Sequence, residues 1–229
     1  MTTDSHVLLL WGDTQVGKTT LLTTAFYNPT IGEIDREESA QSISTLFQGL
    51  RDLSNQRLTK PTVVFHYDVE LKMKSGKHVK VRDIKGGITR TVDEESVRER
   101  LEGVSVVLFL VQWDAGLNQI NAIRGAWDHL ENAHKGLVIT KCEMALGKDD
   151  RAWDCYDGWW RQYDWLRKHD DLVGRFGAAV WPTSSYGFDN NTGYPAAILG
   201  EFGHSLPFNI NPRNVHLPFE WAFSKMEGG

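Results

Sequence analysis

One eight-residue stretch, Gly12 to Thr19, constrains the fold of this chain more than any other and reads G-x-x-x-x-G-K-T. This is the spacing of a P-loop, whose main-chain N–H groups cradle phosphate oxygens. The apolar run 7–11 before it suits a buried strand, and residues 20–27 after it place their apolar side chains on one helical face. Because a P-loop joins a strand to a helix, the flanking patterns support the motif.

The residue types of this loop suit phosphate chemistry. Gly12 and Gly17 allow backbone conformations that a side chain would block, so successive N–H groups can converge on an anion. Lys18 is predicted to reach the β- and γ-phosphates, and the Thr19 hydroxyl to ligate Mg²⁺. The predicted nucleotide-binding set of the loop is Asp13, Thr14, Gln15, Val16, Gly17, Lys18, Thr19 and Thr20.

Length, charge and cysteine content limit the number of domains, the class of partner and the cellular setting. The 229 residues, 41% of them hydrophobic, predict a single domain over 1–229. A net charge of −5 argues against nucleic acid as a main partner. Cys142 and Cys155 have no metal-ligand spacing, which favours a reduced, cytoplasmic setting. Neither a signal peptide nor an apolar run that could span a bilayer is recognisable.

Strand and helix patterns alternate along the chain. They predict an α/β fold: a three-layer sandwich with a mostly parallel sheet and one antiparallel edge hairpin. The hairpin is predicted from the alternation at 62–74 and 79–83. An inserted helix is expected at about 33–60 and a long irregular loop at about 186–216. The other predicted strands are 104–111, 137–140 and 178–181, and the other predicted helices are 91–102, 115–133, 153–169 and 217–226.

Further polar groups fall where these strands end. Asp83 lies at the carboxyl end of a strand, as expected of a second Mg²⁺ anchor, and Gly86 can bring its amide close to a γ-phosphate. Thr140–Lys141 and Ser184–Ser185 end two later strands. The carboxyl ends of parallel strands share one edge of a sheet, so we expect all of these groups to face one ligand.

Taken in order, these motifs resemble those of a Ras-like small GTPase of the translation-factor class of P-loop proteins. The resemblance covers about 7–185. Its guanine-recognition motif, N/T-K-x-D, corresponds to Thr140-Lys141-Cys142-Glu143, and its S-A-K motif to Ser184-Ser185-Tyr186. The segment ahead of Thr62 and the tail 211–221 are also similar to GTPase domains of bacterial conflict or signalling systems.

The resemblance implies a GTP-binding molecular switch that uses Mg²⁺, hydrolyses GTP slowly and signals to a protein partner. It assigns catalytic roles to Lys18, Thr62 and Gly86. Thr62 is the best match to the switch I threonine, with Thr59 and Thr30 as alternatives. The implied metal ligands are Thr19, Thr62 and Asp83. The implied base-binding residues are Thr140, Lys141, Glu143, Ser184 and Ser185.

Two positions depart from the family pattern. Glu143 replaces the guanine-reading aspartate; it keeps a carboxylate acceptor for the guanine N–H groups, which favours GTP over ATP. Gly87 stands where the family has a glutamine that orients the attacking water. Hydrolysis depends on such positioning, so low intrinsic activity is expected unless another group, such as Arg36 or Arg90, assists.

These departures leave alternatives open. One is a nucleotide-binding interaction module with little or no hydrolysis, and another is an ATP-specific P-loop NTPase. A protein partner is expected at the switch loops, at the inserted helix or at the tryptophan-rich helix 153–169. A dimer is a further candidate assembly, across which Arg36 or Arg90 could act.

Overall fold

The computed structural model describes residues 6–13, 15–27, 33–34, 51–52, 55–56, 66–72, 78–84, 99–114, 117–198, 206–207 and 210–227. The strands are β1 (His6–Trp11), β2 (Glu33–Ile34), β3 (His66–Lys72), β4 (His78–Ile84), β5 (Val104–Gln112), β6 (His134–Thr140), β7 (Val180–Pro182), β8 (Ser184–Asp189) and β9 (Ile210–Arg213). The helices are α1 (Lys18–Tyr27), α2 (Leu117–Trp127), α3 (Glu143–Leu146), α4 (Asp164–Arg167), α5 (Asp170–Val173) and α6 (Leu217–Glu227).

The main sheet has the strand order β2-β3-β4-β1-β5-β6-β7. Strands β4, β1, β5, β6 and β7 are parallel neighbours, whereas β3 runs antiparallel to β4 and to β2. The predicted α/β fold with a mostly parallel sheet is therefore confirmed. The predicted hairpin is present as β3–β4, but the two-residue strand β2 lies outside it and forms the edge.

The central strands are apolar on both faces because helices cover both. Leu8 and Leu10 pack on one face with α1 and α6, in a cluster that includes Leu21 and Phe219. Leu9 and Trp11 pack on the other face with α2. A strand buried on both sides must be apolar throughout, which is why the runs at 7–11 and 104–111 were recognisable from sequence.

The region 186–216 is not a continuous irregular loop, contrary to the prediction. Strands β8 and β9 form a second, antiparallel two-stranded sheet. Gly187 (φ +61°) lies so close to the partner strand that a Cβ there would be 1.6 Å from the Asn211 carbonyl oxygen. Glycine, asparagine and proline here therefore mark a close, irregular strand pairing and not the absence of strands.

The predicted amphipathic helix at 153–169 is also wrong. This stretch is broken into short 3-10 turns and α4, and Gly158 (φ +76°) interrupts it with a left-handed conformation. Trp153, Trp159 and Trp160 are buried in the core, so they do not form the exposed aromatic surface expected for a partner. Among the large hydrophobic side chains of this stretch, Tyr156 is the exposed one, at 57%.

Other predictions concern residues only partly described. Helix 115–133 is shorter, as α2 followed by a 3-10 turn at Asp128–Leu130, and the terminal helix is present as α6. Of the predicted inserted helix at 33–60, residues 33–34 form β2, residues 51–52 are helical, and most of the rest lies outside the described residues. Residues 99–101 of the predicted helix 91–102 are helical. No helix among the described residues has the length and apolarity needed to cross a membrane.

Candidate nucleotide-binding site

The P-loop lies at the carboxyl edge of the main sheet, between β1 and α1. Strand β4 flanks β1 on one side, and β5, followed by β6 and β7, flanks it on the other. This order brings Asp83, Gln112, Thr140 and Ser184 to the same edge as the loop, although they are far apart in sequence. The edge is where open α/β sheets hold their ligands.

Gly12 and Lys18 close the loop. A Cβ on Gly12 would lie 2.7 Å from the Leu110 carbonyl oxygen, so only glycine lets the loop leave β1 this close to β5. Lys18 is 7% exposed, and its Nζ donates hydrogen bonds to the carbonyl oxygens of Gly12 (2.9 Å) and Asp13 (3.1 Å). Burial lowers the pKa of the Lys18 ammonium, and the carboxylates of Asp83 and Asp13 act in the opposite direction. The ammonium therefore spans the loop in a buried setting that an anionic ligand would stabilise.

A buried hydroxyl fixes the next part of the loop. Thr140, at the end of β6, has its Oγ1 2.7 Å from the Val16 carbonyl oxygen and 3.1 Å from that of Val111. In a planar trans peptide the C=O and the following N–H point in opposite directions. Holding the Val16 carbonyl against β6 therefore turns the Gly17 N–H away from the sheet, toward the space where a P-loop holds phosphate.

A glutamine at the end of β5 acts on the preceding peptide in the same way. The Gln112 Nε2 donates to the Gln15 carbonyl oxygen at 2.7 Å, while the Gln112 backbone N–H donates to Gln119 Oε1 of α2 at 2.9 Å. The Val16 N–H is therefore turned away from the sheet together with that of Gly17. Two consecutive N–H groups so arranged form the start of an anion-binding nest.

Gln112 was not among the residues predicted from the sequence, and Thr140 was predicted only as a base contact. No local motif marks Gln112, because its role depends on β5 lying beside β1. The one available signal is a polar side chain that ends an otherwise apolar strand, as Thr140 also does.

Thr19 and Asp83, both predicted as Mg²⁺ ligands, contact each other. The Thr19 Oγ1 donates to Asp83 Oδ2 at 3.2 Å, because parallel pairing of β4 with β1 brings Asp83 beside the start of α1. A hydroxyl and a carboxylate are hard oxygen donors of the kind Mg²⁺ prefers. Within the described ranges, no three His, Cys, Asp or Glu side chains gather to form a metal cage. This pair therefore fits an ion whose other ligands are phosphate oxygens and water.

The predicted base loop follows β6. Lys141 is exposed and has a left-handed conformation (φ 59°). The Cys142 N–H donates to the Thr183 carbonyl oxygen at 3.1 Å, which joins this loop to the segment after β7. Ser184 is fully buried and its Oγ accepts the Gly187 N–H at 2.9 Å, whereas Ser185 is half-buried.

Glu143 is less accessible than a base-reading group should be. It is 8% exposed and begins α3. The Ser184 hydroxyl hydrogen-bonds its carboxyl, while the Oε2 atom is buried and has no hydrogen-bond partner in the part of the chain that the structure describes. Burial raises the pKa of Glu143, and the hydrogen bond from Ser184 acts in the opposite direction. The Oε2 atom can contact a base only after the side chain turns outward.

Several predicted site residues lie outside the described part of the chain. They are Thr14, the switch I candidates Thr30, Thr59 and Thr62, the switch II glycines Gly86 and Gly87, and the arginines Arg36 and Arg90. The described residues of the site are Asp13, Gln15, Val16, Gly17, Lys18, Thr19, Thr20, Asp83, Thr140, Lys141, Glu143, Ser184 and Ser185.

Comparison with known proteins bears on the fold. No family model and no curated protein matches the sequence. Among solved structures, the chain is similar to the Ski7 GTPase-like domain of S. cerevisiae bound to GTP, with 14% identity, a TM-score of 0.51 and coverage of 97% of this chain. It spans 50% of that chain's length. The protein therefore has the mostly parallel α/β fold of a GTPase-like domain.

Proposed function

We propose that this protein binds GTP together with Mg²⁺ at the P-loop, hydrolyses it slowly and acts as a molecular switch toward a protein partner. The observation that carries the proposal is the fixed loop: Gln112 and Thr140 hold two consecutive carbonyls against the sheet while Lys18 spans the loop. Backbone N–H groups that are already turned toward a ligand bind phosphate without the cost of ordering them. The Ski7 domain, a similar fold, is itself described with GTP bound.

Each residue has a distinct part in this proposal. Lys18 neutralises the charge of the terminal phosphates, and the N–H groups of Val16 and Gly17 donate to their oxygens. Thr19 and Asp83 would hold Mg²⁺, which when bound supplies charge neutralisation at the phosphates. Guanine selection is assigned to Glu143, whose carboxylate accepts the guanine N1–H and amino hydrogens once it turns toward the base.

A nucleotide-binding module that hydrolyses little or nothing is the second candidate. It is favoured by Gly87, which has no side chain with which to orient a water. Single-turnover phosphate release with GTP and Mg²⁺ separates the two candidates. Release above the uncatalysed rate supports the switch, and tight binding without release supports the module.

Nucleotide competition tests the binding step. GTP, ATP, GDP and XTP are titrated against a fluorescent guanine nucleotide with and without Mg²⁺, with a Lys18→Ala variant in parallel. We expect GTP and GDP to compete best, and Lys18→Ala to lose binding. Equal competition by ATP would remove the guanine assignment, and unchanged affinity of Lys18→Ala would remove the P-loop from the proposal.

A further inference from the structure

Gln15 has a backbone conformation that glutamine seldom adopts. Among the described residues, the non-glycine residues with positive φ are Gln15 (φ 65°), Gln56, Lys141 and Asn214. Residues that carry a Cβ adopt such conformations only at a cost in free energy, and these conformations cluster at functional sites. Glycine would fit the loop at lower cost, so a glutamine here indicates that its side chain has a use.

The surroundings of Gln15 leave that side chain available. Asp13, Val16 and Lys18 on either side are buried, whereas Gln15 is exposed. Its backbone carbonyl is held by Gln112, but its carboxamide makes no hydrogen bond to any residue that the structure describes. A long, neutral group with both a donor and an acceptor is therefore exposed on the P-loop, with no hydrogen-bond partner among the described residues.

We propose that the Gln15 carboxamide is a catalytic residue that donates a hydrogen bond to the oxygen bridging the β- and γ-phosphates during GTP hydrolysis. This inference rests on the proposed function. In the reaction, the water oxygen bonds to the γ-phosphorus and the bond from that phosphorus to the bridging oxygen breaks. The electron pair of the broken bond stays with GDP, and the proton of the water passes to the released phosphate.

The position of Gln15 in the loop suits a donor to the bridging oxygen better than it suits a group that orients water on the far side of the γ-phosphate. Its own loop donates the N–H groups of Val16 and Gly17, so its side chain starts beside the inner phosphates. Negative charge grows on the bridging oxygen as the γ-phosphoryl group leaves, and a donor placed there stabilises the transition state more than the ground state. Gln15 would thus act on the leaving-group side. The glutamine that the family has at the position of Gly87 acts on the opposite side, where it orients the attacking water.

Gln112 is the corresponding positioning residue. By holding the Gln15 carbonyl at 2.7 Å, it keeps Gln15 in its left-handed conformation and sets the direction in which the side chain leaves the backbone. Gln119 in turn fixes Gln112 through the bond of 2.9 Å between its Oε1 and the Gln112 backbone N–H.

The decisive variant is Gln15→Gly, because glycine adopts φ 65° without strain and removes only the side chain. In single-turnover assays with GTP and Mg²⁺ we expect hydrolysis to fall at least about tenfold while the Kd for GTP changes less than about threefold. Gln56→Gly is the matched control, since Gln56 is a second glutamine with positive φ (58°), outside the P-loop. It should hydrolyse GTP at the unmodified rate.

A second variant tests whether Gln112 positions Gln15. Gln112→Leu should also slow hydrolysis, and it should slow the unmodified protein by a larger factor than it slows Gln15→Gly, because the part of its effect that acts through the Gln15 carboxamide is already absent from that variant. An equal factor in both backgrounds contradicts the role of Gln112 as a positioning residue for Gln15. A Gln15→Gly protein that hydrolyses at the unmodified rate overturns the inference, as does one that loses affinity alone. An unmodified chain that binds GTP but releases no phosphate above background also overturns it and leaves nucleotide binding intact. A chain that binds no GTP refutes the proposed function itself.

Discussion

The hydroxyl of Thr140 offers the sharpest test of how the P-loop keeps its shape. Replacing Thr140 with Val preserves the branched shape of the side chain but deletes its only donor. Thr140 is 3% exposed, so water cannot replace the lost bond, and the Val16 carbonyl loses its partner at 2.7 Å. Since no cavity forms, the cost is that of a buried carbonyl without its hydrogen bond, about 1–3 kcal/mol in the free energy of unfolding.

The same change should weaken nucleotide binding. Without Thr140, the peptide between Val16 and Gly17 can rotate, and binding has to restore its direction. If restoring this direction costs about 1.4 kcal/mol during binding, the affinity falls about tenfold. We therefore expect the Kd for GTP to rise by up to about tenfold. Urea unfolding measures the first effect, and titration with a fluorescent guanine nucleotide measures the second.

Thr183→Val is the matched control. Thr183 is fully buried, and its Oγ1 donates to the Ile139 carbonyl oxygen at 3.2 Å, which belongs to β6 and not to the P-loop. The Thr183 N–H also donates to this carbonyl, at 2.7 Å, so loss of the hydroxyl should reduce stability less than Thr140→Val does and should leave the affinity for GTP nearly unchanged. If Thr140→Val binds GTP as tightly as the unmodified protein, or if both variants lose affinity equally, the hydroxyl does not set the direction of the loop peptide.

Three further substitutions test other parts of the structure. Burial raises the pKa of Glu143, so the folded state disfavours its charged form. The unmodified protein should therefore lose stability relative to Glu143→Gln as the pH rises from about 4 to 7. Urea unfolding of both proteins across that range checks this, and a difference in unfolding free energy that does not change with pH contradicts it. Gly187→Ala should destabilise the protein by at least about 2 kcal/mol, because its Cβ would lie 1.6 Å from the Asn211 carbonyl oxygen; an unchanged Tm would refute that contact. Gly12→Ala should lower the free energy of unfolding by about 1–3 kcal/mol and also lower the affinity for GTP, because its Cβ would lie 2.7 Å from the Leu110 carbonyl oxygen. If stability and affinity were both unchanged, the loop would be able to move away from β5.

The parts of the fold that were predictable are those with strong local patterns. The strand at 7–11 and the strand at 104–111 are continuous apolar runs, and burial on both faces admits no other composition. The second sheet was missed because β8 and β9 meet at a close approach that requires glycine, and glycine in a polar stretch resembles a loop. The aromatic stretch 153–169 was misassigned because its period is helical while its rings are distributed through the core by short turns.

The same distinction between local and long-range signals applies to the residues of the site. The spacing of Gly12, Gly17 and Lys18 is a local signal, and it located the loop correctly at the carboxyl edge of the sheet. Asp83 was placed by its position at a strand end. The groups that hold the loop in shape, Gln112 and Thr140, act across the sheet, and no sequence pattern near the loop specifies them. A local motif therefore predicts where the P-loop lies but not what fixes the direction of its peptides.

The separations of these contacts along the chain have a consequence for biosynthesis. Asp83 lies 64 residues from its partner Thr19, Gln112 lies 97 from Gln15, and Thr140 lies 124 from Val16. Contacts so distant form late, because the intervening chain must first be made and folded. A nascent polypeptide would carry the whole G-x-x-x-x-G-K-T sequence on the ribosome long before that segment acquired its shape. The loop can therefore take the shape that these contacts fix only after β6 has emerged and joined the sheet.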